Sequence, residues 1–223
     1  MVYDFHTHTT LSDGELTPIE LIRRAHKSGY RAIALTDHCG AGSLARILAE
    51  LIKDCALAEQ YWDIIAIPGV ELTHVPAAAI PGLAQQAREL GAQLIVVHGE
   101  TIVEPVEPGT NRAAVAPGNI DILAHPGLLT LDEAREAASN GVYLELTIRR
   151  GHCLTNGHVA RLAQVAGAHL ILDSDAHGPG DLLSSSLAQA VARGAGLEDH
   201  EIIPTLETNA ERLLQRLGRK TSR

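Results

Sequence analysis

His6 and His8, Asp37 with His38, Glu71, His98, His125, and the trio Asp173, Asp175 and His177 share one feature: each follows directly on a short apolar segment. The segments are residues 2–5, 32–36, 70, 94–97, 122–124 and 169–172. A lone imidazole after a strand has no special chemistry. Repetition at the same end of successive strands does, because crossover helices bring the ends of parallel strands to one face. Imidazoles and carboxylates converging there without a comparable supply of cations would be electrostatically costly to bury. The pattern predicts a polynuclear metal site.

Two of these groups have an extended-chain geometry of their own. His6-x-His8 puts two imidazoles on one side of a strand, so both reach one ion. Asp175-x-His177, inside Asp173-Ser174-Asp175-Ala176-His177, repeats the arrangement at the far end of the chain. Either pair alone arises easily by chance. A closed barrel sets its first and last strands side by side, so the pairs share a centre there, and Glu71 can bridge to a second ion.

The elements that position them read as strand–helix units. Thr17-Pro18-Ile19-Glu20 offers a capping residue, Pro at the first helical position and an early Glu, and the helix ends at Gly29. Residues 32–35 form a strand apolar on both faces, as a parallel strand covered on both sides should be. A helix from Ser43 to Tyr61 follows, then a strand over 63–67 bent at Pro68-Gly69 before Val70 and Glu71. A helix over 80–90 leads to the strand at 93–97. Residues 99–119 carry several Pro and Gly with little periodicity, and a loop of that length is usually functional. Thr130-Leu131-Asp132-Glu133 opens a capped helix closed at Gly141. Residues 142–147 are the sixth strand, 156–166 the next helix, and Leu206, Leu213, Leu214 and Leu217 recur at helical spacing. Seven units give an α/β fold, a distorted (βα)7 TIM-like barrel spanning one domain over residues 1–223. A doubly wound sheet concentrates its site at one switch point, whereas here nearly every strand end is polar.

Composition narrows the partners. The 223 residues are 45% apolar with formal net charge −9, and no apolar run approaches the ~20 residues that span a bilayer. The N-terminus runs straight into the first strand, leaving no room for a signal peptide; a cytoplasmic protein with no membrane partner is expected. With no Lys/Arg block, one Phe and one Trp, a long nucleic-acid track with stacking platforms is disfavoured. Short oligonucleotides and small anions stay open. Cys39, Cys55 and Cys153 lack a C-x-x-C pair and read as free thiols.

Asp4-Phe5-His6-Thr7-His8-Thr9, Ser12-Asp13-Gly14 and Leu35-Thr36-Asp37-His38 resemble the first motifs of the polymerase-and-histidinol-phosphatase (PHP) family. Gly69-Val70-Glu71-Leu72, Val97-His98-Gly99, Ala124-His125-Pro126-Gly127 and Ser174-Asp175-Ala176-His177 are similar to its later motifs, in order. The resemblance implies a (βα)7 barrel with up to three Zn, Mn or Fe ions. It implies that His6, His8, Glu71 and Asp175 hold one ion, Asp13, His38 and His177 a second, and Glu71, His98 and His125 a third.

The implied activity is hydrolysis of a small phosphomonoester, histidinol phosphate or a nucleotide among them, by a metal-bridging hydroxide. Divalent ions make water nucleophilic near neutral pH. Arg149 and Arg150 follow the one strand without a metal ligand, and their forked donors suit a phosphate dianion. Arg112, in the long loop, could close over the substrate from the other side. Glu71, Asp175 and Arg149 are therefore the expected catalytic residues. The ordinary alternative for each arginine is a solvated surface charge. His152 and His158 are the imidazoles available to protonate a leaving alkoxide, with a helix-start or surface role as the alternative. Asp37 and Asp173 read as acceptors that orient imidazoles. His74, three positions past Glu71, is more simply off the site, and His26, His169 and His200 read as structural. Two other functions compete. A nuclease cutting short oligonucleotides would use the same hydroxide. A C–N hydrolase of the amidohydrolase type would need a strand lysine at the bridge, and Lys27, Lys53 and Lys220 are not so placed.

Overall fold

The computed structural model describes residues 1–219; Lys220 lies outside them. Eight parallel strands alternate with helices: β1 (Val2–Asp4), β2 (Tyr30–Leu35), β3 (His38–Cys39), β4 (Ile65–Leu72), β5 (Leu94–His98), β6 (Ile122–Ala124), β7 (Tyr143–Thr147) and β8 (Leu170–Asp173). Seven of them run side by side in the order β1-β2-β4-β5-β6-β7-β8, and the two-residue β3 pairs with β4 beyond the end of β2. Crossovers are made by α1 (Pro18–Lys27), α2 (Leu44–Tyr61), α3 (Ile80–Glu89), α4 (Thr110–Val115), α5 (Leu131–Asn140) and α6 (Asn156–Ala166). After β8 come α7 (Ser185–Gly194), α8 (Asp199–Ile203) and α9 (Asn209–Arg216). This is the expected TIM-like barrel. No helix among the described residues is long and apolar enough to cross a membrane.

The barrel closes by side chains more than by a ladder. One parallel bridge, Thr7 to Ala176, joins the first and last strands. Beside it the Asp173 carboxylate accepts the Phe5 N–H at 2.6 Å, and the Asp4 carboxylate accepts the Ser174 N–H at 3.0 Å. Asp173 therefore fastens the seam instead of orienting an imidazole, which corrects the sequence expectation.

Three other local expectations change. β4 does not end at Ile67 but runs as one strand from Ile65 to Leu72, changing neighbours at Pro68-Gly69. Residues up to Pro68 pair with β2, and those from Gly69 pair with β5. Gly69 is needed because a Cβ would lie 2.9 Å from the Leu94 carbonyl oxygen. Thr17 makes no side-chain cap on α1, whereas Thr130 and Glu133 complete the capping box on α5. The stretch 99–119 is not wholly irregular, since α4 forms within it.

Two apolar layers hold the barrel. One lies between the sheet and its surrounding helices. The other fills the barrel interior with Phe5, Ile67, Val96, Ile122 and Ile171, and is plugged by Leu213 and Leu214 of α9. Each of these leucines is fully buried, and truncating one to Ala typically costs about 2–5 kcal/mol. The apolar plug closes the N-terminal end of the strands and leaves the polar residues at the C-terminal end.

Candidate metal centre

The extended chain just past β1 carries His6 and His8, whose alternate positions turn both rings into the barrel mouth. The His8 N–H bonds the Ala176 carbonyl at 2.8 Å, which fixes its height against Asp175. His6 donor geometry is set from behind: its Nδ1 lies 2.8 Å from Glu145 Oε1, leaving Nε2 to face the centre. The other Glu145 oxygen accepts the His125 N–H at 2.8 Å. One buried carboxylate on β7 thus orients two candidate ligands, a common way of fixing imidazoles at metals. Sequence reasoning missed Glu145. The available signal was a lone acid inside the apolar run Tyr143-Leu144-Glu145-Leu146.

Asp37 has a different job from the one expected. Its carboxylate accepts the Thr9 N–H and hydroxyl, each at 2.8 Å, and the Ser12 hydroxyl at 2.6 Å. It ties down the turn that carries Asp13. Gly14 lets that turn fold over His8, because a Cβ there would lie 2.4 Å from the His8 carbonyl oxygen.

Four groups of donor atoms result, each with all its atoms within 4.8 Å of one another. They are His6, His8 and Asp175; His6, Glu71 and His125; His8, Asp13, His38 and His177; and His74, His98 and Glu104. Donors about 2.0–2.1 Å from a tetrahedral zinc stand roughly 3.3–3.4 Å apart. The observed separations fit: His6 Nε2 to Glu71 Oε1 3.3 Å, His8 Nε2 to Asp175 Oδ1 3.1 Å, and Asp13 Oδ1 to His38 and His177 Nε2 3.5 and 3.4 Å. His125 Nε2 is 3.7 Å from Glu71 and 3.8 Å from Asp175. His38 Nδ1 also meets Glu71. All nine expected ligands thus reach the mouth, but His98 is turned outward. Its Nδ1 lies 3.2 Å from the Gly99 carbonyl and its Nε2 faces Glu104 at 3.1 Å.

The electrostatics suit cations. His6 Nε2, both His8 nitrogens, Glu71 Oε1 and Asp175 Oδ1 are buried without a hydrogen-bond partner, a density of orphans that folded proteins avoid. Burial drives the His8 imidazole down to about 4 and His125 well below its ordinary value, so both are neutral donors. Burial pushes Glu71 and Asp175 up, but His38 and His6 outweigh it for Glu71, and His6 and His8 for Asp175, holding both carboxyls below their usual range. His6 is the exception. Burial pulls it down, yet Glu145, Asp175 and Glu71 raise it well above an ordinary imidazole. A proton on His6 compensates carboxylates that a metal ion would otherwise neutralise, and metal binding releases such protons. The donor set therefore fits divalent ions.

The donors open into a pocket of about 490 Å³ lined by Asp13, His38, His98, His125, Asp175 and His177, and also by His74, Glu104, Arg149 and His152. Arg149 reaches it from β7, 3.8 Å from Asp181. Arg112 does not: it pairs with Glu136 at 2.6 Å on the outside of the barrel, correcting its expected closure over substrate. Arg150 is exposed beyond the lining. His152 is buried at the pocket wall with its ring 4.3 Å from that of His125, whereas His158 is spent on the Leu129 carbonyl at 2.8 Å. His74, set aside in the sequence, lines the pocket.

Comparison with known proteins agrees with this geometry. The PHP domain model matches residues 4–98. An uncharacterized protein of Methanocaldococcus jannaschii is 46% identical over 222 residues, covering 97% of this chain and 100% of that one. The chain belongs to the PHP family. Ribonuclease P protein component 3 of Methanosarcina barkeri is 29% identical over 229 residues, covering 96% of this chain and 89% of its own. The histidinol phosphate phosphatase of Lactococcus lactis, solved with zinc, L-histidinol and phosphate, has a TM-score of 0.57 at 14% identity. It covers 98% of this chain and 94% of its own. That last likeness is one of fold. The PHP assignment and the donor geometry together describe a metal-dependent hydrolase.

Proposed function

We infer that this PHP protein is a metal-dependent phosphomonoesterase acting on a small phosphorylated substrate with three divalent ions, Zn, Mn or Fe. The observation that carries this reading is one guanidinium, Arg149, at the rim of a pocket lined mainly by imidazoles and carboxylates. Bound divalent ions supply Lewis acidity and a water activated near neutral pH. The protein supplies position. His6, His8, Glu71 and Asp175 hold the inner charge, and Asp13, His38 and His177 hold the side nearer solvent. Arg149 then meets the non-bridging oxygens with a planar fork. Its own backbone N–H is anchored on the Thr147 hydroxyl at 3.1 Å, which fixes the base of the side chain. Burial lowers the His152 imidazole, so it meets substrate in its neutral form.

A second reading, a nuclease cutting short oligonucleotides, is favoured by the likeness to a ribonuclease P component over nearly the whole chain. A phosphodiester uses the same ions and the same arginine. The deciding experiment is phosphate release from a panel of monoesters, histidinol phosphate and nucleoside monophosphates included, beside p-nitrophenyl diesters. Each is assayed after metal stripping and re-addition of Mn, Zn or Fe. Metal-restored release from a monoester supports the first reading. Cleavage of diesters alone moves the protein to the second, and silence with every metal overturns both.

A further inference from the structure

Arg149 enters the pocket on a backbone held from both sides. Its N–H donates to the Thr147 hydroxyl at 3.1 Å, and its carbonyl accepts the Cys153 N–H at 3.0 Å. Thr147 is locked in turn by Asn156, whose side-chain oxygen accepts the Thr147 N–H at 3.2 Å and whose amide donates to the Thr147 carbonyl at 2.8 Å. The long side chain has a separate requirement. Its rotatable bonds must be ordered before the planar fork can meet an anion, and ordering them at the moment of binding weakens affinity.

The acid facing the guanidinium is Asp181, in the loop between β8 and α7. Its Oδ2 lies 3.8 Å from Arg149 Nη1. The same oxygen accepts the His177 N–H at 3.1 Å and the Gly178 N–H at 2.8 Å. The Asp181 N–H closes the turn on the Gly178 carbonyl at 3.1 Å, and the His177 carbonyl ties it to the loop after β1 by accepting the Glu15 N–H at 2.6 Å. Two features make this carboxylate a guide for Arg149 and not a rival of substrate. At 3.8 Å the pair is beyond hydrogen-bond length, and Oδ2 already serves two backbone amides. The attraction is therefore one of charge, and it consumes none of the guanidinium N–H groups. In addition, Arg149 lines the pocket and Asp181 does not, so the acid stands behind the fork.

We propose that Asp181 is a positioning residue, which holds the Arg149 guanidinium at the pocket mouth in readiness for the non-bridging oxygens of a phosphate. Through the His177 N–H it also keys that arginine to the segment carrying Asp175 and His177. The proposal rests on the reading of Arg149 as the phosphate contact, but not on turnover of any particular ester.

The test is calorimetric binding of inorganic phosphate to metal-loaded wild type, Asp181→Asn, Arg149→Ala and the double variant, with metal content measured for each. Asparagine keeps an oxygen for the His177 and Gly178 N–H groups and removes only the charge. The sign of the change decides. A carboxylate that merely lies near an anion site, or that competes for Arg149, opposes phosphate, so its removal tightens binding. A positioning carboxylate does the reverse. With the side chains of Arg149 and Asp181 33% and 44% exposed, Asp181→Asn should weaken binding about fivefold, the scale of a half-exposed ion pair and one ordered side chain. Metal content should not change. Arg149→Ala should weaken binding roughly tenfold or more, and in that background Asp181→Asn should weaken it no further, since no guanidinium is left to aim. Equal or tighter binding in Asp181→Asn overturns the proposal alone, as does further weakening in the double variant. Lost metal in Asp181→Asn also overturns it, by assigning the acid to the His177 turn. Undiminished binding in Arg149→Ala, or a wild type that binds no phosphate, sinks the phosphate reading of Arg149 and this proposal with it.

Discussion

The two ends of β6 treat buried charge in opposite ways. Asp121, just before the strand, is buried with both oxygens answered: Oδ2 takes Arg88 and the Ile95 N–H, and Oδ1 takes Arg216 at 3.0 Å. His125, just past the strand, leaves Nδ1 without a partner, and the Glu71 and Asp175 carboxylates it faces meet only imidazoles in their ion pairs. Guanidinium partners complete a buried acid as structure. Imidazole partners with orphaned atoms leave it waiting for a cation. The barrel thus keeps charge that folds the chain at one end and charge that binds at the other.

The sharpest way to break this division is Asp175→Asn. Turnover on the substrate found in the phosphate-release panel should fall roughly a thousandfold or more, the scale of losing a preorganised electrostatic group. The thermal midpoint of the metal-free protein should hardly move; a collapse of the fold would show the site end to be structural after all. Arg88→Ala should do the reverse. It removes one of two guanidinium partners of Asp121 and should cost about 3 kcal/mol, the low end for breaking a buried pair, in urea unfolding. Metal content should stay at the wild-type level, and loss of metal there would erase the division. Glu145→Gln is subtler, since it keeps an acceptor for His6 but removes the charge behind it. Metal affinity, read by competition with a chelating dye, should weaken about 10–100-fold with little change in thermal midpoint.

The smallest effect concerns the seam acids. Burial raises Asp4 to about 7 and raises Asp173 well above an ordinary carboxyl. A carboxyl with a raised folded pKa stabilises the fold while protonated, fully below its unfolded value near 4, and loses that contribution as pH rises through the folded value. Metal-free wild type should therefore lose stability between about pH 4 and 7. Asp4→Asn should flatten that slope, and an equal slope in both proteins would remove the seam from the account.

The fold and the donor set were legible where one local pattern carried both. An apolar run ending in His6, His38, Glu71, His98 or His125 states strand and candidate ligand together. Asp173 and Asp37 were placed beside the centre, but their roles were misread, because adjacency in sequence does not say whether a carboxylate faces a ring or a backbone N–H. Glu145 was hidden by alternation, since one acid in a strand looks like an outward residue until the barrel closes around it. His74 and Glu104 reach the pocket from loops, and no periodicity encodes that approach. Arg112 failed for the same reason in reverse, taken by Glu136 on a helix packed outside.

The seam between β1 and β8 has a consequence for the order of events during synthesis. Phe5 and Asp173 are 168 positions apart, so β1, which pairs early with the nearby β2, meets β8 only after a long stretch of chain has been made. Contacts so distant in sequence slow folding, and until they form, His6 and His8 have no Asp175 opposite them. His6 and His8 cannot share an ion with Asp175 before β8 has docked on β1. An ion held by His8 and Asp175 would act as a removable cross-link between residues far apart in the chain. Chelation would then leave the seam to its hydrogen bonds alone, those of Phe5 to Asp173 and Ser174 to Asp4 beside the Thr7–Ala176 bridge.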